Sequence, residues 1–169
     1  RYLLNSVFLD GGTKAHMPVF ERLWSLFGPP DLGPVDFDAL ERRSTPNDAL
    51  ACPRGFRKAR SDLTTPEFAV DVATLQAAMA KVIASEPRTI LVDRNDATLT
   101  ERYMQRSEVL KFPDTIVVRY IEKPDGASLA MYSRSQLGYS DLGANLSRLR
   151  RWLNKLEQYV APAAVKLDD

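Results

Sequence analysis

Asp141, Asn145 and Arg148 follow one another at spacings of four and three. On a helix that spacing sets a carboxylate, an amide and a guanidinium along one flank. Trp152 and Tyr159 fall on the same flank, which a purely solvated surface would seldom carry. Ser133 and Arg134 end a strand-like stretch shortly before. Two readings stay open. Ser133, Arg134, Asp141, Asn145 and Arg148 can form a polar site between a sheet and a helix, holding a small molecule. Equally, the flank is a boundary zone in which Asp141 and Arg148 cap and pair, tying the helix start to the strand. A second set, Arg119, Tyr132 and Arg134 beside Val117, lies on one face of the predicted sheet. Arginines around an aromatic can grip a carboxylate, and they also describe the wet face of a sheet.

Catalytic devices are poorly supplied. His16 is the only histidine and Cys52 the only cysteine. A Ser-His-Asp or Cys-His arrangement would therefore have to recruit His16, near the N-terminus. The same poverty of ligands predicts no metal site. Carboxylates are plentiful, but no pair stands in an apolar setting that would separate their pKa values. The run Gly138-Tyr139-Ser140-Asp141-Leu142-Gly143 lacks the spacing and the lysine of a phosphate loop. No catalytic residue and no cofactor are predicted. With 23 basic and 22 acidic residues the net charge is +1, against nucleic acid as a partner. No apolar run is long enough to span a bilayer.

The elements that must position these groups are legible from period. Residues 71–85 read as a helix: Asp71 is a plausible N-cap, Val72, Leu75, Met79, Val82 and Ile83 recur at helical spacing, and Pro87 stops it. From Thr89 the period changes to two. Strands are predicted over Thr89–Arg94, Ala97–Arg106, Thr115–Ile121 and Ser128–Ser135, with Val109–Phe112 a short bulged extension. Lys123-Pro124-Asp125-Gly126 marks a tight turn. A tip at Asp125-Gly126 pairs Val118 with Met131 and puts Ile116, Val118, Tyr120, Leu129 and Met131 on the core face. The final helix is predicted from about Asp141 to Val160, its stripe running through Leu142, Leu146, Leu149, Leu153, Leu156 and Val160. The fold class is α+β: an antiparallel β-meander packed by this long amphipathic helix and by the 71–85 helix, as one domain over 35–160 with a tail at 161–169. Residues 35–66, marked by prolines, promise little regular structure, with Cys52 a small buried apolar residue.

Residues 1–34 differ. Pro18 can open a short helix that Gly28 ends, with Phe20, Leu23, Trp24 and Phe27 on one face. Gly28-Pro29-Pro30-Asp31-Leu32-Gly33-Pro34 then forms a stiff tether. Four large apolar side chains open to water form a patch that soluble monomers seldom leave uncovered. Either the arm folds back and caps the core, or something else covers it; few basic residues stand near it, so a protein partner then fits better than a lipid surface.

The chain also resembles the uncharacterised domain-of-unknown-function family numbered 1499, from about Val35 to Leu156. The resemblance rests on Pro46-Asn47-Asp48-Ala49-Leu50-Ala51-Cys52-Pro53, on Phe112-Pro113-Asp114, and on Tyr132-Ser133-Arg134-Ser135 with Gly138, Ser140-Asp141-Leu142-Gly143, Asn145 and Arg148. It implies no reaction, cofactor or catalytic residue. It does imply a setting in a bacterial envelope or a plastid, peripheral to a membrane. The expectation is a non-catalytic accessory or binding protein docking through its arm onto a membrane-protein complex. The alternative is a small-molecule carrier or enzyme with a polar site between sheet and helix.

Overall fold

Alternating apolar residues become strands and residues at spacings of three and four become helices in the computed structural model, which describes residues 31–56 and 59–163. In chain order the elements are β1 (Asp48–Cys52), β2 (Leu63–Thr64), α1 (Val72–Ala84), β3 (Thr89–Asn95), β4 (Thr100–Arg106), β5 (Pro113–Lys123), β6 (Gly126–Ser135) and α2 (Ala144–Leu156). The fold is α+β, with six strands in the order β2-β1-β6-β5-β4-β3. The face bearing Ile116, Val118, Leu129 and Met131 belongs to the main core, and α1 and α2 lie over it. Asp71 caps α1 by accepting a bond from the Thr74 amide at 2.7 Å. Leu75, Ala78, Met79 and Val82 form that helix's buried side.

Strands β3 to β6 are the expected antiparallel meander, with Val118 opposite Met131. The sheet as a whole is mixed, which corrects the purely antiparallel expectation. Strand β1 adds antiparallel to β6, from Asp48 opposite Arg134 to Ala51 opposite Met131. Strand β2 then runs parallel to β1. Both lie in the stretch expected to be irregular. Pro46 and Pro53 bracket β1, but its Ala49–Cys52 run is buried on both faces, and such a strand shows a continuous apolar run instead of alternation.

The opposite face of the sheet is not wet. Segment 34–40 crosses it, so that Phe37, Leu50, Cys52, Val117, Ala130 and Tyr132 make a second small core. Two further expectations are corrected. Val109–Phe112 is an exposed link and not a strand. Helix α2 is shorter than Asp141–Val160, because Leu142 takes a left-handed backbone (φ 53°) and Gly143 another (φ 80°) at the N-cap. Leu142 is 96% exposed and off the apolar stripe. The buried side of α2 turns instead toward Asn145, Arg148 and Trp152, alongside Leu149, Leu153 and Leu156. The arm residues Phe20, Leu23, Trp24 and Phe27 lie outside the described residues. Among the described residues no helix is long and apolar enough to cross a membrane.

The β5–β6 turn explains one glycine. Gly126 has φ 152°, and a Cβ there would stand 2.0 Å from the Phe68 carbonyl oxygen. That approach is needed because Phe68 and Ala127 exchange backbone bonds of 2.8 and 3.0 Å. Gly126→Ala is therefore expected to cost about 2–4 kcal/mol. At Gly55 (φ 70°), where an added Cβ meets nothing within 4 Å, alanine should cost only about 1–2 kcal/mol of backbone strain. Urea denaturation of the two variants checks the difference.

Candidate functional site

The core face of the sheet becomes polar in its last row. Gln105 of β4 stands opposite Asp114 of β5, and Asp114 opposite Ser135 of β6. Ser133 lies one step inward on the same face of β6. Asn145 and Arg148, one turn apart on α2, drop onto this row. The Arg148 guanidinium is buried and bonded on every nitrogen. Its Nε donates to Gln105 Oε1 at 2.5 Å. Its Nη1 reaches Ser133 Oγ at 2.9 Å and Asn145 Oδ1 at 2.6 Å. Its Nη2 pairs with Asp114 Oδ2 at 2.5 Å. Asn145 is wholly buried, and its amide nitrogen donates to the Asn47 carbonyl at 3.0 Å, Ser135 Oγ at 2.9 Å and Asp141 Oδ2 at 2.6 Å. Asn47 in turn donates to the Gly138 carbonyl at 2.8 Å. Asp141 caps α2, accepting from the backbone amides of Gly143 and Asn145, each at 2.9 Å.

Four of the five residues singled out in the sequence thus meet: Ser133, Asp141, Asn145 and Arg148. Arg134 does not join them. It points to the other face of the sheet, where its Nη2 holds the carbonyls of Leu32 and Gly33 at 2.9 and 2.7 Å. The network continues beyond the predicted set through Gln105, whose Nε2 donates to Glu86 Oε2 at 3.1 Å. Glu86 also receives Arg151 Nη2 at 2.8 Å and Lys155 Nζ at 2.6 Å. Burial alone would push its carboxyl up, but the bonds from Arg151, Lys155 and Gln105 outweigh that and hold it at about 2.

A further buried carboxylate lies outside the predicted set. Glu101, on the core face of β4, accepts from the Tyr103 hydroxyl at 2.5 Å and the Tyr120 hydroxyl at 2.6 Å, and pairs with Arg94. Burial, reinforced by that carboxylate, pushes both phenols well above their usual value. The available signal was the alternation Glu101-Arg102-Tyr103, which puts Glu101 and Tyr103 on one face.

Clefts open beside this framework. One, of about 500 Å³, opens over the polar row between β4 and α2, with Gln105, Asp114 and Arg148 among its lining. Another is larger, about 870 Å³, and lies on the outer face against Phe37, Val117 and Arg119. None of Ser133, Asp141, Asn145 and Arg148 lines it. Of these four only Arg148 lines the smaller one, and Asp141 lines a third cleft, of about 440 Å³, beside Arg42 and Asp48. Among the described residues no group of three His, Cys, Asp or Glu is placed to hold a metal ion.

The framework makes two predictions. Asp114→Ala leaves the Arg148 charge buried without its partner and should cost about 3–5 kcal/mol, whereas Asp141→Ala removes a half-buried cap and one acceptor of the buried Asn145 amide and should cost about 1–3 kcal/mol; chemical denaturation measures both. The Glu86 carboxyl sits lower in the folded chain than its ordinary 4.5. Its stabilising contribution is therefore complete above that value and is lost as pH falls through it toward about 2. Glu86→Gln should flatten that part of an acid titration followed by circular dichroism.

No curated protein matches the chain. Among solved structures, an uncharacterized protein from Rhizobium leguminosarum is similar, with a TM-score of 0.43 and 12% sequence identity over 56% of this chain and 90% of that one. The profile of a family described as protein of unknown function (DUF1499) matches residues 43–156. That span is more than half of the chain and holds the whole network from Asn47 to Lys155, so the chain belongs to this family.

Proposed function

We propose that this chain is a non-catalytic accessory or binding protein that docks through its N-terminal arm onto a larger, membrane-associated assembly. The observation that carries the reading is the use made of the polar residues. Ser133, Asp141, Asn145 and Arg148, which a reaction would need free, bond to one another and to the backbone, and they join α2 to β1, β5 and β6. Such buried, mutually bonded groups fix a structure. The surface supports the same view. Ile90, Leu91 and Val92 on the terminal strand β3, with Val109, Leu110 and Phe112, are large apolar side chains left exposed.

The described residues begin beside that strand. Asp31 pairs with Arg102 at 2.9 Å, and the Leu32 amide donates to Thr115 Oγ1 at 2.9 Å. Thr115 stands opposite Met104, and Met104 opposite Ile90. Asp31 is thus held on β4, the strand next to the exposed β3.

Because Asp31, Leu32 and Gly33 bond to the sheet, the informative truncation ends before them. A chain lacking residues 1–30 should keep its circular dichroism spectrum and melt within a few degrees of the full chain. It should lose its association with detergent-solubilised membrane complexes on native gels, as should the full chain with Phe20, Leu23, Trp24 and Phe27 changed to serine. If the truncated chain unfolds or aggregates, the arm belongs to the core and the docking reading fails.

A further inference from the structure

Strand β3 is the last strand at one side of the sheet, and six of its seven residues are exposed. Ile90, Leu91 and Val92 follow one another along it, 54%, 50% and 38% exposed. Its outward backbone groups have no neighbouring strand, and such an edge is a template for another strand. The usual guards are missing. No proline interrupts it, and its two charged residues are engaged with β4: Asp93 pairs with Arg102 at 3.3 Å, and Arg94 with Glu101. A bulge at Val92 leaves regular antiparallel pairing with β4 on either side of it. We propose that β3 pairs antiparallel with β3 of a second copy of this chain, joining the two sheets into one across a two-fold axis.

Charge selects the second copy as the occupant. Arg88 stands just before the strand and Asp96 just after it, and both are exposed. Among the described residues neither forms an ion pair. Arg88 Nε donates to the Arg106 carbonyl at 3.1 Å, which leaves the cation without a countercharge. Asp96 lies near Arg94, but Arg94 is already paired with Glu101. Antiparallel pairing over the whole strand brings the cationic end of one copy against the acidic end of the other, and symmetry repeats the match at the far end. Parallel pairing would set like charges together. An unrelated strand would have to carry the same two charges in the same order, whereas a second copy supplies them by symmetry. The apolar run between the two ends is covered in the same step, and the open backbone groups gain partners. Such a contact uses one patch on each copy and closes. The other edge strand, β2, has only two residues, too short a ladder to carry the association further. The product is therefore a dimer and not a fibre. The inference makes no use of the arm, so its failure leaves the docking reading and the truncation that tests it untouched.

Sedimentation velocity of the full chain at low salt, from micromolar to submillimolar concentrations, should show one monomer–dimer equilibrium. Leu91→Lys places a charge in the edge and should leave a monomer with an unchanged circular dichroism spectrum. Arg88→Glu and Asp96→Arg each set like charges together at both ends of the paired strands. Each should weaken dimerisation about fivefold or more, because two ion pairs are lost per dimer. Mixing the two variants restores opposite charges at both ends, so the mixture should dimerise about as tightly as the unaltered chain. That recovery separates a contact between copies from an effect on folding, which mixing would not repair. A chain that stays monomeric at every concentration overturns the pairing, as does a dimer that Leu91→Lys leaves intact. So does a mixture of the two charge variants that associates no better than either alone.

Discussion

The structure depends on one buried charge. Arg148 lies inside the seam between α2 and the sheet, and an unpaired guanidinium there would be prohibitive. Everything around it answers that constraint. Asp114 supplies the countercharge from β5, Gln105 the acceptor from β4, Ser133 another from β6, and Asn145 both shares the guanidinium and reaches back to β1. Each partner comes from a different element, so the guanidinium sets the height and angle at which the helix crosses the sheet. An apolar seam would bury as much surface but would tolerate sliding by a turn; directional bonds do not.

The polar seam also explains how the main core is divided. Toward one end of α2, Trp152 packs edge-on against Tyr103 with ring centres 5.9 Å apart, and Leu149, Leu153 and Leu156 fill the space over β1 and β6. Toward the other, the same helix carries its polar residues. Glu101 with Tyr103 and Tyr120 forms a second buried polar knot further along the face. Hydrophobic burial accounts for the closeness of the layers, and the two knots account for their register.

Much of this was legible in the sequence, and what was missed has a physical reason in each case. The meander, its Val118–Met131 register and the Asp71 cap follow from period and turn chemistry. The grouping of Asp141, Asn145 and Arg148 followed from helical spacing, but their burial did not. Period alone puts the leucine line at the centre of the buried face and includes Leu142 in it. Leu142 in fact lies before the helix, in a left-handed turn, a state that side-chain pattern does not report. Adjacency groups Arg134 with Ser133, but neighbours on a strand point to opposite faces. Strand β1 was hidden because burial on both sides erases alternation. Gln105 and Glu86 join the network only through the sheet's tertiary pairing, which no local spacing encodes.

The placement of β1 has a bearing on how such a chain can be assembled. Strands β3 to β6 are joined by short links, so each ladder closes a small loop. Strand β1 reaches β6 across about half of the chain, and the entropy of closing that loop must be met before the contact returns anything. Asn47, at the mouth of β1, is also the group whose carbonyl receives both Asn145 and the Ser135 amide. Until β1 arrives, the wholly buried amide of Asn145 lacks one of its acceptors and the seam is left partly unsatisfied. The longest-range pairing of strands is thus also the one that completes the polar seam, which makes a helix–meander intermediate without β1 a poorly sealed state and couples that strand to the integrity of the whole sheet.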